Sequence, residues 1–99
     1  MEELAVKLKA LADKKRLKIV ELLLKKDYCV KALARELEMS ESAVSQHLKK
    51  LREAGIVIGE KRGYWVHYVV QIDEVTELGK ELIELTEQEQ VPEKGDCCH

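Results

Sequence analysis

Hydrophobic positions follow a helical period over the first half of this chain. Leu4, Leu8 and Leu11 recur three or four residues apart, which predicts a first helix. Asp13 supplies a side-chain oxygen suited to capping a second helix. The residues expected to form the buried stripe of that helix are Leu17, Ile19, Val20, Leu23 and Leu24.

Two shorter periodic segments follow and are separated by a brief polar break. A third helix is predicted from Val30 to about Met39, and Ser40 is then expected to cap a fourth helix that ends near Gly55. The apolar stripe of the fourth helix consists of Val44, Leu48 and Leu51. Two such helices joined by a three- or four-residue turn are typical of a helix-turn-helix.

The hydrophobic period then changes from 3.6 to 2 in the stretch IVIGEKRGYWVHYVV. Two β-prone runs flank polar residues 60–63, which predicts a hairpin with its turn at these four positions. On the return strand Val66, Tyr68 and Val70 share one face, and Trp65 and His67 share the other. A hairpin that follows a helix-turn-helix in this way is expected to lie beside the fourth helix as a wing.

A fifth helix is predicted from a cap at Asp73, and Pro92 and Gly95 end the regular structure. Its apolar positions have the spacing of a helix that packs against another helix: Val75, Leu78, Leu82 and Leu85. The predicted fold class is therefore mostly α with a small β-hairpin (α+β), in the order of four helices, two strands and a helix. We expect one winged helix-turn-helix domain at residues 1–90 and a flexible cysteine-containing C-terminal tail at 91–99.

Composition restricts the class of protein. No apolar run is long enough to span a membrane and no signal-peptide pattern opens the chain, so a cytoplasmic location without a membrane partner is expected. Three cysteines at no framework spacing favour reduced thiols over a disulfide scaffold. No nucleophile paired with a base, phosphate loop or closed metal motif occurs, and we therefore do not expect an enzyme.

Charge is distributed unevenly although the net charge is only −2. Basic residues predominate in 7–26 and acidic residues in 73–96, so a polyanionic partner is compatible with the sequence. A solvated charged face remains the alternative interpretation.

The polar face of the fourth helix has the chemistry of a DNA-reading helix. Short polar side chains and Gln46 lie near its amino end, where they can reach base edges, and cations suited to phosphate follow. An amphipathic, merely solvated helix is the alternative, and His47, at the edge of the apolar stripe, suits either a structural hydrogen bond or a DNA-backbone contact. The residues expected to contact DNA are Ser40, Ser42, Ser45, Gln46, His47, Lys49, Lys50, Arg52, Lys61 and Arg62.

The segment LADKKRLKIVELLLKKDYCVKALARELEMSESAVSQHLKKLREAGIV, followed by GEKRGYWVHYVV, resembles the ArsR/SmtB family of winged-helix, metal-sensing transcriptional repressors. The resemblance extends to about residue 90. It implies a homodimer, joined through the first and last helices, that binds a palindromic operator and leaves it when an effector binds. Tyr64 departs from the basic residue that the family often has after the wing glycine. The matching positions are Leu11, Asp13, Arg16, Leu17, Ile19, Ser40, Ser42, Val44, Ser45, His47, Leu48, Leu51, Arg52, Ala54 and Gly55.

The resemblance also restricts where an effector could bind. The family's site on the last helix needs histidines, which this segment lacks. The family's arsenic and cadmium motif, E-L-C-V-C-D-L, aligns with residues 27–33, where Cys29 is retained but Lys31 and Ala32 replace the second cysteine and the acidic residue. Half of this site is therefore expected to remain.

The C-terminal tail is expected to supply the missing donors. Cys97 and Cys98 would complete a three-sulfur set with Cys29 for As(III), and His99 would add a fourth ligand for Cd(II) or Zn(II). We expect a repressor released by a thiophilic ion, with As(III) favoured. The sequence leaves open a thiol-redox-responsive repressor and a winged-helix protein-interaction module without an effector. It also leaves open a purely structural role for Cys29 and a disordered tail without function.

Overall fold

A computed structural model describes residues 1–88 and residue 95. The mostly α architecture with a β-hairpin is confirmed, and a two-residue strand that the sequence analysis missed joins the hairpin. No described helix is long and apolar enough to cross a membrane. The elements are α1 (Glu2–Leu11), α2 (Lys14–Lys25), β1 (Tyr28–Cys29), α3 (Val30–Leu37), α4 (Glu41–Glu53), β2 (Val57–Arg62), β3 (Trp65–Val70) and α5 (Ile72–Glu87).

Helix ends follow the predicted capping residues in three of four cases. The Asp13 carboxylate accepts hydrogen bonds from the Lys15 and Arg16 amides at 2.9 and 3.1 Å, and the Arg16 amide is the main cause of a pKa below the usual value for Asp13. Ser40 Oγ accepts a 3.1 Å bond from the Ala43 amide, and Gly55, with φ of 78°, follows the end of α4. These contacts satisfy backbone groups that a helix end leaves unpaired.

The predicted cap at Asp73 was wrong. Gln71 precedes α5 without a side-chain cap, while Asp73 lies in the first turn of the helix. The backbone N–H of Gln71 instead donates a 2.8 Å hydrogen bond to the backbone carbonyl of Ile56. This bond attaches the start of α5 to the segment that follows α4. A long-range backbone contact therefore sets where α5 begins, and Asp73 remains favourable there only through the helix dipole.

The core lies where α2, α3 and α4 meet the base of the hairpin. Its most deeply buried members are Ile19, Leu33, Val44, Leu48, Leu51, Ile56 and Val57. The predicted α4 stripe is confirmed, but the predicted α2 stripe was partly wrong, because Leu17 and Leu24 are 53% and 55% exposed while Leu22 is buried. Helix α2 is apolar on more than one side, so its period alone cannot select the side that meets α3 and α4.

The sheet has three antiparallel strands in the order β1-β3-β2. Strand β1 pairs with β3 through Tyr28 opposite Tyr68 and Cys29 opposite His67. The hairpin turn lies at residues 63–64, later than predicted, because Glu60, Lys61 and Arg62 remain paired with β3. Gly63 has φ of 66°, a conformation that glycine adopts without the steric cost of a side chain.

Candidate DNA interface and effector site

Helix α4 presents two chemically different faces. Val44, Leu48 and Leu51 are buried against the core, and this anchorage turns the opposite side of the helix toward solvent. All but one of the α4 residues predicted to contact DNA are exposed: Ser42, Ser45, Gln46, Lys49, Lys50 and Arg52. Ser40, just before the helix, is exposed as well and also caps it. Packing thus leaves a polar row with cations in its second half accessible to a large partner.

His47 is the exception among these residues. Its ring is half-buried, and its Nδ1 atom lies 3.3 Å from Nη1 of Arg16 on α2. A guanidinium can only donate, so the imidazole nitrogen accepts in this contact. His47 therefore has an intramolecular partner, in keeping with the structural hydrogen bond that the sequence analysis left open.

The wing carries two cations whose surroundings differ. Lys61 and Arg62 are both exposed on β2. Arg62 forms ion pairs with Asp27, before β1, and with Glu60, at 2.7 Å in the latter case. Hydrogen bonds to Glu60 and then to Asp27 raise the pKa of Arg62, but the carboxylates also neutralise much of its charge. Sequence reasoning missed the Asp27 contact, which joins residues 35 positions apart.

Cys29 lies where β1 ends and α3 begins. It is half-buried, is not in a disulfide, and has an extended backbone as the residue that precedes α3. The register places it opposite His67 on β3, and His67 is in turn opposite Glu60 on β2. Residues paired in this way point to the same face of a sheet, so these three side chains occupy one row across all three strands.

His67 has an unusual ring environment within this row. Its Nδ1 atom is buried and has no hydrogen-bond partner among the described residues. Buried polar atoms normally have a partner, so this nitrogen is an exception within the part of the chain that the structure describes. His67 was not among the predicted site residues. The signal that could have placed it opposite Cys29 is the antiparallel pairing of Tyr28 and Cys29 with Tyr68 and His67.

The residues that the structure describes do not form a complete metal site by themselves. No group of three His, Cys, Asp or Glu side chains within residues 1–88 and 95 is arranged to hold an ion. Cys29 and His67 would supply one soft sulfur and one borderline nitrogen, whereas zinc or cadmium takes about four ligands and As(III) three sulfurs. The predicted ligands Cys97, Cys98 and His99 lie outside the described residues.

Helices α1 and α5 retain exposed apolar side chains. Within the chain they contact each other through an ion pair between Lys7 and Glu74, while Leu4 and Leu78 are buried. A Cβ atom added at Gly79 would meet no atom within 4 Å, so the helix surface there is open. The exposed apolar residues of the two helices are Val6, Leu8, Ile72, Leu82, Ile83 and Leu85.

Proteins of known class share this architecture. The family model described as bacterial regulatory protein, arsR family, matches residues 13–58. The arsenical resistance operon repressor of Bacillus subtilis (strain 168) is 40% identical over 93 residues, which cover 93% of this chain and 87% of that protein.

Two solved structures are similar in three dimensions. An ArsR-like transcriptional regulator from Rhodococcus sp. RHA1 has a TM-score of 0.82 at 29% identity, covering 88% of this chain and 82% of its own. The homodimeric winged helix-turn-helix DNA-binding domain of Mb0332 from Mycobacterium bovis has a TM-score of 0.72 at 25% identity, with 95% and 89% covered. The family model matches the helix-turn-helix, and this chain covers 87% of the length of a relative that is 40% identical to it. The chain therefore belongs to the arsR family of bacterial regulatory proteins.

Proposed function

We propose that this protein is a homodimeric transcriptional repressor that binds a palindromic operator and is released when a thiophilic metal or metalloid binds at Cys29. The observation that carries the proposal is the position of Cys29. This residue is paired directly with strand β3 of the wing, so a ligand at the thiol acts on the same three-stranded sheet that carries Lys61 and Arg62. The effector site and the DNA-contacting wing are thus parts of one hydrogen-bonded unit.

DNA recognition is assigned to the exposed row of α4 and to the wing. Ser42, Ser45 and Gln46 would reach base edges in the major groove, where a glutamine amide can bond adenine in two places. The remaining polar contacts would go to the sugar-phosphate backbone and fix the register of the protein on the duplex. The residues assigned to this second role are Ser40, Lys49, Lys50, Arg52, Lys61 and Arg62.

Dimerisation is assigned to the exposed apolar residues of α1 and α5. Such a patch on a small chain typically marks an interaction surface, and the similar Mycobacterium bovis domain is homodimeric. A two-fold axis through these helices would place two α4 helices about 34 Å apart, one turn of B-DNA. This spacing accounts for a palindromic operator.

The Arg62 ion pairs lead to a prediction about DNA affinity. Replacing Asp27 with asparagine should strengthen duplex binding about two- to fivefold, because the guanidinium loses one of the two carboxylates that compete with phosphate. The salt dependence should become steeper by about 0.9 in log Kd against log salt, the value for one additional phosphate contact. Fluorescence anisotropy across a salt series measures both quantities.

Asp73→Asn is the matched control for this prediction. It removes the same charge from the first turn of α5, outside the wing. Equal gains in affinity from Asp27→Asn and Asp73→Asn would show that net charge alone matters and would contradict the role of the ion pair.

The effector is assigned to the ions that prefer sulfur. Cys29 with Cys97 and Cys98 offers the three sulfurs that As(III) requires, and His99 would extend the set for Cd(II) or Zn(II). The similarity to an arsenical resistance operon repressor supports As(III) as the first ion to test. A coupling of about 1 to 3 kcal/mol between effector and DNA would suffice for release.

An operator-release titration tests the proposal. Reduced protein on labelled operator should dissociate on addition of As(III) or Cd(II), and Cys29→Ser or the Cys97→Ser/Cys98→Ser double variant should prevent this release at the same ion concentration. Operator binding by each serine variant without the ion is the control. Release by peroxide but not by any ion would favour the thiol-redox alternative, and absence of salt-dependent duplex binding would favour a protein-interaction module.

A further inference from the structure

We propose that Arg16 is the residue that positions the recognition helix α4 relative to α1, through a hydrogen bond to the ring of His47. The inference rests on the proposed function, in which α4 reads the operator. It assigns His47 to orienting α4 instead of contacting DNA, and it identifies Arg16 as a determinant of operator binding that does not touch DNA.

Three elements meet at the Arg16 side chain. Its Nε atom donates a 2.6 Å hydrogen bond to the Ala10 carbonyl in the last turn of α1. Its Nη1 atom lies 3.3 Å from Nδ1 of His47, in the middle of α4, and 3.9 Å from Oδ2 of Asp13, the cap of α2. The side chain is only 14% exposed, so these contacts are largely shielded from solvent.

The contacts constrain both neighbouring helices. Ala10 is one of the terminal residues of α1 whose carbonyl has no helical partner, and a cation is favourable there because of the helix dipole. Since the guanidinium is planar and rigid, fixing Nε at Ala10 also fixes the direction of Nη1 toward α4. The rotation of α4 about its axis therefore depends on where α1 ends.

This arrangement links the proposed dimer surface to the DNA-reading surface. Helix α1 carries exposed apolar Val6 and Leu8, and α4 carries Gln46 next to His47. A shift of α1 at the dimer interface would move the Ala10 carbonyl and, through Arg16, the register of Gln46 on DNA. Sequence spacing could not indicate this, because Arg16 and His47 are 31 positions apart.

A set of His47 variants tests the acceptor directly. His47→Asn places an amide oxygen near the position of Nδ1, whereas His47→Gln places its amide one bond farther from the backbone and His47→Leu has no acceptor. We expect His47→Leu and His47→Gln to bind the operator about tenfold more weakly than the wild type, which corresponds to the loss of one charged hydrogen bond. The affinity of His47→Asn should remain within about threefold of the wild-type value. Glutamine is the better helix former, so helix propensity opposes the expected order.

A double-mutant cycle separates positioning from DNA contact. Arg16→Met should weaken operator binding at least as much as His47→Leu, because it also loses the contacts to Ala10 and Asp13. The double variant should be no weaker than Arg16→Met alone, because His47→Leu removes only a hydrogen bond that Arg16→Met has already removed. Additive losses, or a Gln variant stronger than the Asn variant, would overturn the inference. Thermal unfolding of each variant identifies losses that arise from unfolding.

The ring nitrogens provide a readout without DNA. The ¹⁵N chemical shifts of the His47 ring are measured in the dimer without DNA. In the neutral ring of the wild type they should show the proton on Nε2, which leaves Nδ1 as the acceptor. Arg16→Met should shift the tautomer balance toward the form with the proton on Nδ1. A wild-type ring protonated on Nδ1 would overturn the inference. If the wild-type protein did not bind DNA, the proposed function would fail while this measurement still tested the Arg16 contact.

Discussion

Replacing Ile83 with glutamate should convert the dimer to a monomer and weaken operator binding by at least about 100-fold. Ile83 is 58% exposed in the single chain and belongs to the apolar surface of α1 and α5. Dimerisation would bury the new carboxylate without a partner, at a cost that exceeds the contribution of one apolar side chain. A monomer would also lose the gain in affinity that comes from linking two half-site contacts.

Sedimentation velocity and operator anisotropy on the same samples measure both effects. Ile83→Val keeps the surface apolar and should retain the dimer, and Gln88→Glu adds the same charge just beyond the end of α5 and should have little effect. If Ile83→Glu remained dimeric at micromolar concentration, the surface assigned to dimerisation would be incorrect.

Replacing Gln46 with alanine should weaken operator binding by roughly 10- to 100-fold while leaving binding to random duplex nearly unchanged. The residue is exposed, and a bidentate amide contact to a base contributes about 1–3 kcal/mol of discrimination. Lys49→Met is the matched variant for a phosphate contact. It should weaken binding to operator and random duplex alike and reduce the salt slope by about one.

Competition binding with operator and scrambled duplexes distinguishes these outcomes. Thermal unfolding should be nearly unchanged in both variants, because Gln46 and Lys49 lie on the solvent side of α4. Equal losses on operator and scrambled DNA for Gln46→Ala would show that this side chain does not read sequence.

Much of the fold was predictable from local signals. The 3.6-residue spacing of Val44, Leu48 and Leu51 identified α4 and its buried side, and Ser40 and Gly55 marked its limits. These predictions succeeded because the backbone of a helix satisfies its own hydrogen bonds, so that its extent depends mainly on nearby residues. The exposed face of α4, and with it most of the proposed DNA interface, followed from the same periodicity.

Predictions that depended on contacts between distant segments were less accurate. Leu17 and Leu24 have apolar side chains at helical spacing but remain exposed, and the cap expected at Asp73 is replaced by a backbone bond from Gln71 to Ile56. In each case the local pattern allowed more than one arrangement. Packing against another element selected one of them.

The sequence by itself determined the helices, the hairpin, the polar face of α4 and the presence of one cysteine where the effector is proposed to bind. Only the tertiary structure showed that Cys29 pairs with His67 on the wing, that Arg62 binds Asp27, and that Arg16 connects α1 to His47. The physical reason is that helices and turns form from interactions within a few residues, whereas Cys29 and His67, Asp27 and Arg62, and Arg16 and His47 are each at least 31 positions apart. Their partners are defined only once the chain has folded around its core.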